Sequence, residues 1–218
     1  MRKLYGYFRS SAAYRVRIAL GLKGLDYDHI GVNLVPGVSE QKSADYIALN
    51  PQGRVPFLID DDVSLSQSPA IIEYLDEAYP DVPLLPKGLA ARARVRQLAS
   101  LIGCDIHPLN NLAVLMRLKT EMGADEEAVN AWYSHWIAEG FSALESLLTD
   151  SKDTGRFCHG DTPGMADIYV VPQVWNARRF LVPMDNYPTI VSIDAACNEL
   201  EAFKAAAPEN QPDTPQAA

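Results

Sequence analysis

The sequence predicts an α/β layer over residues 1–80, a short linker at 81–88 and an all-helical domain over 89–218. Three observations carry that division. Strand and helix patterns alternate up to Leu75. Three prolines, Pro80, Pro83 and Pro86, then interrupt all periodicity before Gly88. Beyond Gly88 the large apolar residues recur at three- and four-residue spacing only.

The first strand is Leu4 to Phe8, aromatic and apolar, and so suited to a pleated, half-buried surface. Ser10 or Ser11 then caps a helix with apolar positions at Ala12, Val16, Ala19 and Leu20. Gly21 to Gly24 ends it. Tyr27 to Asn33 reads as a second strand, and Gln41 to Leu49 as a short irregular helix stopped before Asn50-Pro51. Phe57 to Ile59 is a strand opened by Pro56, a position where proline removes no ladder hydrogen bond. A cis Val55–Pro56 bond there would turn the Val55 N–H and C=O outward as a short edge. Asp60-Asp61-Asp62 turns the chain into a returning strand, Val63 to Leu65. Ser68 caps the next helix, with Pro69 at its first position and Ile71, Ile72 and Leu75 on its buried face.

In the second half, Leu89 to about Met122 is one long helix or two joined near His107-Pro108. Glu126 to Leu148 is a helix with Trp132, Trp136, Phe141 and Leu144 at core spacing. Met165 to Phe180 is apolar enough to be the centre of this domain. Asp167, three residues after Gly164, supplies one half of a capping box. Thr189 to Ala206 forms the last helix or helices, and the polar, proline-rich stretch from Pro208 reads as a surface tail.

Composition narrows the function classes. At 48% hydrophobic and 22% charged the chain has ample core material, and no apolar run reaches the ~18 residues of a membrane span. The N-terminus enters strand pattern directly, without the apolar stretch of a signal peptide. Three separated cysteines suit a reducing cytoplasm rather than a disulfide framework. The net charge of −9 argues against a nucleic-acid partner. Arginines nevertheless gather at Arg9, Arg15, Arg17, Arg54, Arg178 and Arg179, either to hold an anion or as structural ion pairs. Cys104 and His107 lie three apart with no second pair, so no metal site is expected.

The Arg9-Ser10-Ser11 turn admits two readings. A serine before a helix is an ordinary cap. A helix N-terminus also favours an anion, and a hydroxyl there could hold the thiolate of a bound small molecule.

The second reading gains from a resemblance. Tyr7-Phe8-Arg9-Ser10-Ser11, Arg15 to Leu20, Ala48 to Pro51, Val55-Pro56, Gln67 to Leu75, Gly103 to Asn111, Val171 to Val174, Ala177 to Phe180 and Gln211 to Pro215 resemble, in order, the motifs of zeta-class glutathione transferases. That family includes maleylacetoacetate and maleylpyruvate isomerases. The resemblance implies the glutathione transferase fold, α/β plus all-α, with a thioredoxin-like N-terminal domain and an all-helical C-terminal domain. It implies a cytoplasmic homodimer with glutathione as cofactor and a small dicarboxylate as substrate. The implied reaction is cis–trans isomerisation of a maleyl-type diketo acid, maleylacetoacetate first, in aromatic amino-acid degradation. The alternatives are maleylpyruvate or transfer to haloacids.

Carried onto this chain, Ser11, with Ser10 as second candidate, faces the sulfur. Val55 pairs with the cysteinyl backbone, and Gln67 and Ser68 grip the γ-glutamyl carboxylate. Arg54, His107 and Asn111 are candidates for the glycyl end; His107 reads equally well as a polar residue before a proline bend. Arg9 and then Arg179 are the substrate-side cations, while Arg178 points about 100° away and reads as a surface cation. Two departures matter. Ala12 stands where eukaryotic members often carry cysteine, so the turn holds no thiol of its own and a glutaredoxin-type redox role is rejected. Leu112 and Ala113 stand where the maleylpyruvate branch carries arginines. A non-catalytic scaffold on the same fold is the remaining competitor.

Overall fold

The structure is a computed structural model, described here for residues 1–215. The chain forms two compact units, one of Met1–Leu84 with the segment from Asn198, the other of Leu85–Cys197.

In the first unit β1 (Lys3–Gly6), β2 (Asp28–Gly31), β3 (Phe57–Asp60) and β4 (Val63–Ser66) make one sheet in the order β2-β1-β3-β4. β1 and β2 are parallel and are joined through α1 (Ser11–Leu22), as a parallel pair requires a crossover. β3 is antiparallel to both β1 and β4, with Tyr5 opposite Phe57 and Phe57 opposite Ser66. A short 3-10 turn at Glu40–Lys42 and α2 (Ala44–Leu49) realise the irregular helix expected there. α3 (Ser68–Ala78) follows β4.

Sequence spacing predicts one apolar face on α1, yet every residue from Ser11 to Leu20 is buried, Arg15 and Arg17 included. The helix is covered by α3 and by α9 (Glu201–Ala206) as well as by the sheet. At Gly21 an added Cβ would stand 3.2 Å from that of Ala202, so glycine sets the α1–α9 approach. This returning segment therefore belongs with the first unit, whereas the sequence division placed it in the helical domain. Nor is the stretch after Pro208 the surface tail expected: Pro208 and Gln211 are buried, and Gln211 Nε2 donates to the Ala205 and Ala207 carbonyls at 2.8 and 2.9 Å. Lys23 Nζ, fully enclosed at the end of α1, meets Asp76 Oδ1 at 3.2 Å and donates to the Tyr79 and Val82 carbonyls at 2.9 and 2.8 Å. Asp76 also accepts the Leu84 N–H, so the proline-rich stretch is tied down from both sides.

The second unit is helical: α4 (Leu89–Ser100), α5 (Leu112–Thr120), α6 (Glu126–Thr149), α7 (Met165–Arg179) and most of α8 (Pro188–Asn198). The long helix predicted over 89–122 is broken. Leu101–Ile106 is a π-helical segment, where the His107 N–H reaches back five residues to the Ile102 carbonyl at 2.9 Å. Asn111 then caps α5, its Oδ1 accepting the Ala113 N–H at 3.0 Å. α6 buries Val129, Tyr133, Ile137, Phe141, Leu144 and Leu148 along one stripe. α7 is buried on nearly all sides, the central helix that its composition predicts. Asp167 Oδ2 accepts the Gly164 N–H and Oδ1 the Cys158 N–H, each at 2.8 Å. Gly164 offers no oxygen in return, a cap weaker than serine by a few tenths of a kcal/mol. Burial raises the Asp167 pKa, opposed by the two backbone bonds. No helix among the described residues is long and apolar enough to cross a membrane.

Candidate active site

The register of the sheet brings three loops to one edge. β1 ends where β3 begins, and β4 ends beside the same residue, Phe57. The turn after β1, the Val55–Pro56 step before β3 and the start of α3 after β4 therefore share that edge. They carry Arg9-Ser10-Ser11, Val55, and Gln67-Ser68.

Ser10 is the cap of α1. Its Oγ accepts the Ala13 N–H at 3.2 Å, while its own N–H donates to the Tyr7 carbonyl at 2.9 Å. Ser11 is the first helical residue and is buried, one position inside the cap. The structure thus distinguishes the two serines: Ser10 holds the helix start through its Oγ, and Ser11 is the first, buried residue of the helix. Arg9 is half-buried. Its guanidinium lies 5.2 Å from the Phe8 ring centroid and 5.7 Å from that of Tyr7, and Nη2 donates to Tyr7 Oη at 3.1 Å.

Val55–Pro56 is cis. No backbone group of the described residues engages the Val55 N–H or C=O. The loop before it is pinned, since the Arg54 carbonyl accepts from Tyr46 Oη at 2.8 Å and Asn50 Nδ2 at 2.7 Å. Burial raises the Tyr46 phenol to about 12, so it remains a donor. Gly53, at φ +59°, cannot be replaced cheaply: a Cβ would stand 2.8 Å from Ile47 Cδ1 and 2.9 Å from the Gln41 carbonyl. The Arg54 side chain itself is exposed.

At α3 the cap is Gln67, not Ser68. Gln67 adopts φ 70°, ψ 113°, and Ser68 is the buried first residue. A non-glycine residue at positive φ costs about 1–3 kcal/mol and persists where surroundings enforce it, often at ligand sites. Here Gln67 Nε2 donates to Gln52 Oε1 at 2.7 Å. An unpaired peptide edge at Val55, beside a helix N-terminus entered through a strained residue, fits a peptide bearing a carboxylate. Glutathione is such a peptide, so these residues suit it.

The remaining candidates lie in the second unit. His107 is half-buried at the end of the π-helical segment, and Asn111 is committed through Oδ1 to the α5 cap. Arg179 is exposed at the end of α7, its guanidinium 4.9 Å from the Phe180 ring and 5.9 Å from that of Trp175; Phe180 stacks on Tyr133 at 3.6 Å. Arg178 is more than a surface cation. Nη1 meets the buried Asp194 carboxylate at 2.6 Å, with half of the arginine side chain in water. Removing one partner of a fully buried pair costs about 3–5 kcal/mol, but solvent at Arg178 screens this pair. Arg178→Met should therefore cost about 1–2 kcal/mol of stability in a denaturant titration with little change in activity.

Two residues of this unit-one site were not singled out by sequence as site residues. Arg17, 1% exposed, donates to the Phe8 carbonyl at 3.0 Å, the Tyr7 carbonyl at 3.4 Å and the Ala206 carbonyl at 2.9 Å. Desolvation lowers its pKa to about 10, so it is charged at neutral pH. Asp213 Oδ2 accepts the Phe8 N–H at 2.9 Å. The sequence makes Arg17 a candidate anion holder or ion-pair partner; in the structure its guanidinium holds carbonyls instead.

A thioredoxin-like layer with this serine turn and peptide edge, joined in sequence to a helical unit, defines a glutathione transferase. The glutathione S-transferase N-terminal domain family matches residues 4–83, and its C-terminal domain family matches residues 128–203. A maleylacetoacetate isomerase of Pseudomonas aeruginosa is 50% identical over 216 residues, 99% of this chain and 100% of that protein. The holo structure of a maleylpyruvate isomerase, a bacterial zeta-class transferase, superposes with a TM-score of 0.94 at 50% identity, covering 98% of this chain and 100% of the other. A maleylacetoacetate isomerase of Methylobacterium extorquens, solved with bound malonate and glutathione, gives a TM-score of 0.94 at 40% identity, covering 98% and 99%. The chain belongs to the glutathione transferase family, in its zeta class.

Proposed function

We propose that this protein is a glutathione-dependent cis–trans isomerase of a maleyl-type diketo acid, with maleylacetoacetate as substrate and fumarylacetoacetate as product, working in aromatic amino-acid degradation. The observation that carries the proposal is the sheet register, which brings the turn after β1, the Val55–Pro56 step before β3 and the start of α3 after β4 to one end of the sheet. Relatives named for this reaction along their full length support it.

Val55 pairs with the cysteinyl backbone of glutathione, and Gln67 with the α3 N–H groups takes the γ-glutamyl carboxylate. Arg54, His107 and Asn111 take the glycyl end. Bound glutathione supplies a thiolate that adds to the cis double bond and leaves after rotation, so nothing is consumed. Ser11 donates its hydroxyl proton to that sulfur, and the α1 dipole favours its negative charge. A free thiol near ~8.5 is only a few per cent ionised at neutral pH, and each unit of lowering takes about 1.4 kcal/mol. Arg9 meets charge that develops on the substrate carbonyl, and Arg179 pairs with a substrate carboxylate through its planar fork. Malonate in the Methylobacterium relative is a dicarboxylate bound to a maleylacetoacetate isomerase, which agrees with two anionic ends on the substrate.

Maleylpyruvate is the second reading, favoured by the 50% identical isomerase of that name. Leu112 and Ala113 in place of arginines favour the longer diketo acid. Haloacid transfer would use the same serine turn. The protein acts as a cytoplasmic homodimer. The test is an absorbance assay of maleylacetoacetate isomerisation, with maleylpyruvate and a haloacid panel alongside. Turnover of maleylacetoacetate that requires glutathione is expected; glutathione-independent turnover, or none with any substrate, overturns the proposal.

A further inference from the structure

The turn that carries Arg9, Ser10 and Ser11 is gripped from behind by chain that lies about 200 residues later in sequence. Asp213 spans two neighbours. Oδ2 accepts the Phe8 N–H at 2.9 Å, and Oδ1 approaches His29 Nε2 on β2 at 3.0 Å. The two atoms are close but not aligned as a directed hydrogen bond, and the contact is an ion pair only where His29 is protonated. Burial lowers the His29 pKa, with Asp213 opposing and Arg17 reinforcing the shift. The carboxylate enters over Gly31, where an added Cβ would stand 3.3 Å from the Asp213 Cβ. Arg17 completes the grip through Tyr7, Phe8 and the Ala206 carbonyl at the end of α9.

Three of these contacts fall on backbone two or three residues before Ser10: the Phe8 N–H, the Phe8 carbonyl and the Tyr7 carbonyl. Phe8 has its N–H fixed by Asp213 and its carbonyl fixed by Arg17. With both sides of one residue held, the direction in which the chain enters α1 is set, and with it the position of Ser11. The Gln211 amide, bonded to two carbonyls of its own segment, makes the loop that presents Asp213 stiff. A surface tail needs none of this.

We infer that the segment from α9 to Pro215 is a clamp on the serine turn, and that Asp213 is a positioning residue for the isomerisation. The inference rests on the proposed thiolate role of that turn. Asp213 touches neither cofactor nor substrate; it acts through Phe8.

The experiment compares the full-length protein with Asp213→Ala and Asp213→Asn. The readouts are the pKa of bound glutathione, from thiolate ultraviolet absorbance against pH, its Kd by calorimetry, kcat for maleylacetoacetate, and the melting temperature. The wild type should hold the bound thiol below its free value. Asp213→Ala should raise that pKa by about one unit and cut kcat at neutral pH about tenfold, with Kd changed less than about threefold. Asp213→Asn keeps an oxygen for the Phe8 N–H and should restore most of both. An Asp213→Ala protein that melts lower but keeps the wild-type thiol pKa and kcat overturns the clamp. If Asp213→Asn falls as far as Asp213→Ala, the backbone bond is not what matters and the clamp is again overturned. A wild type that leaves the thiol pKa unlowered overturns the thiolate reading itself, a different outcome from either.

Discussion

Ser11→Ala should lower kcat/KM for maleylacetoacetate about 10²- to 10³-fold at neutral pH, the range found when one preorganised donor to a developing or held anion is removed. The same change should move the acid-side limb of the pH profile, where activity rises as the thiol ionises, upward toward the ordinary thiol value of ~8.5. Ser10→Ala should behave differently. Its Oγ is spent on the Ala13 N–H, so it loses a helix cap worth about 1 kcal/mol. For a chain of this size that is a fall of about 2–4 °C in Tm, with activity reduced far less than in Ser11→Ala. Paired pH–rate profiles and thermal melts of the two variants decide the matter. If Ser10→Ala shifts the profile and Ser11→Ala does not, the assignment of the two hydroxyls is reversed.

That pair also shows where sequence reading stops. Both serines satisfy the composition of a cap, and spacing alone cannot choose between neighbours, because a cap is defined by φ/ψ and by whose N–H it accepts. The same one-residue slip occurs at α3, where Ser68 reads as the cap and Gln67 fills the position with φ 70°. A glutamine at positive φ breaks the local rules, and no propensity signals it. The elements themselves were legible. The β1–α1–β2 crossover and the β3–β4 hairpin follow from local periodicity and turn residues, and α6 forms as its spacing predicts, but its buried stripe runs through Val129 and Tyr133, while Trp132 and Trp136, read as core, are only half-buried.

The contacts that fix the site were not legible, since their partners are distant in the chain and mostly backbone. Arg17 reads as an anion holder or an ion-pair partner, yet α1 is buried from Ser11 to Leu20 and its guanidinium serves three carbonyls. Asp213 sits in a polar, proline-rich stretch that composition assigns to the surface. One oxygen of its carboxylate accepts the Phe8 N–H, a donor that any residue but proline at that position would offer. The one available signal was the Gln211 to Pro215 motif, which resembles the family although it lies far from the serine turn in sequence.

Arg179→Ala should reduce kcat/KM for maleylacetoacetate about 10²-fold or more while changing the glutathione Kd less than about twofold. The estimate follows from two charge-assisted bonds between a guanidinium fork and a carboxylate, together worth about 3 kcal/mol at the low end. Stability should hardly move, because Arg179 is exposed and packs its guanidinium on ring faces rather than in the core. Nor does the change alter a nearby proton: Arg179 only opposes the upward shift that burial imposes on Tyr133, which stays neutral with or without it. Arg179→Lys keeps the charge and loses the planar fork, so it should recover part of the rate and not all of it. Full recovery with lysine would reduce the requirement to a point charge. Equal losses in isomerisation and in glutathione affinity would move Arg179 to the cofactor and leave Arg9 as the cation on the substrate.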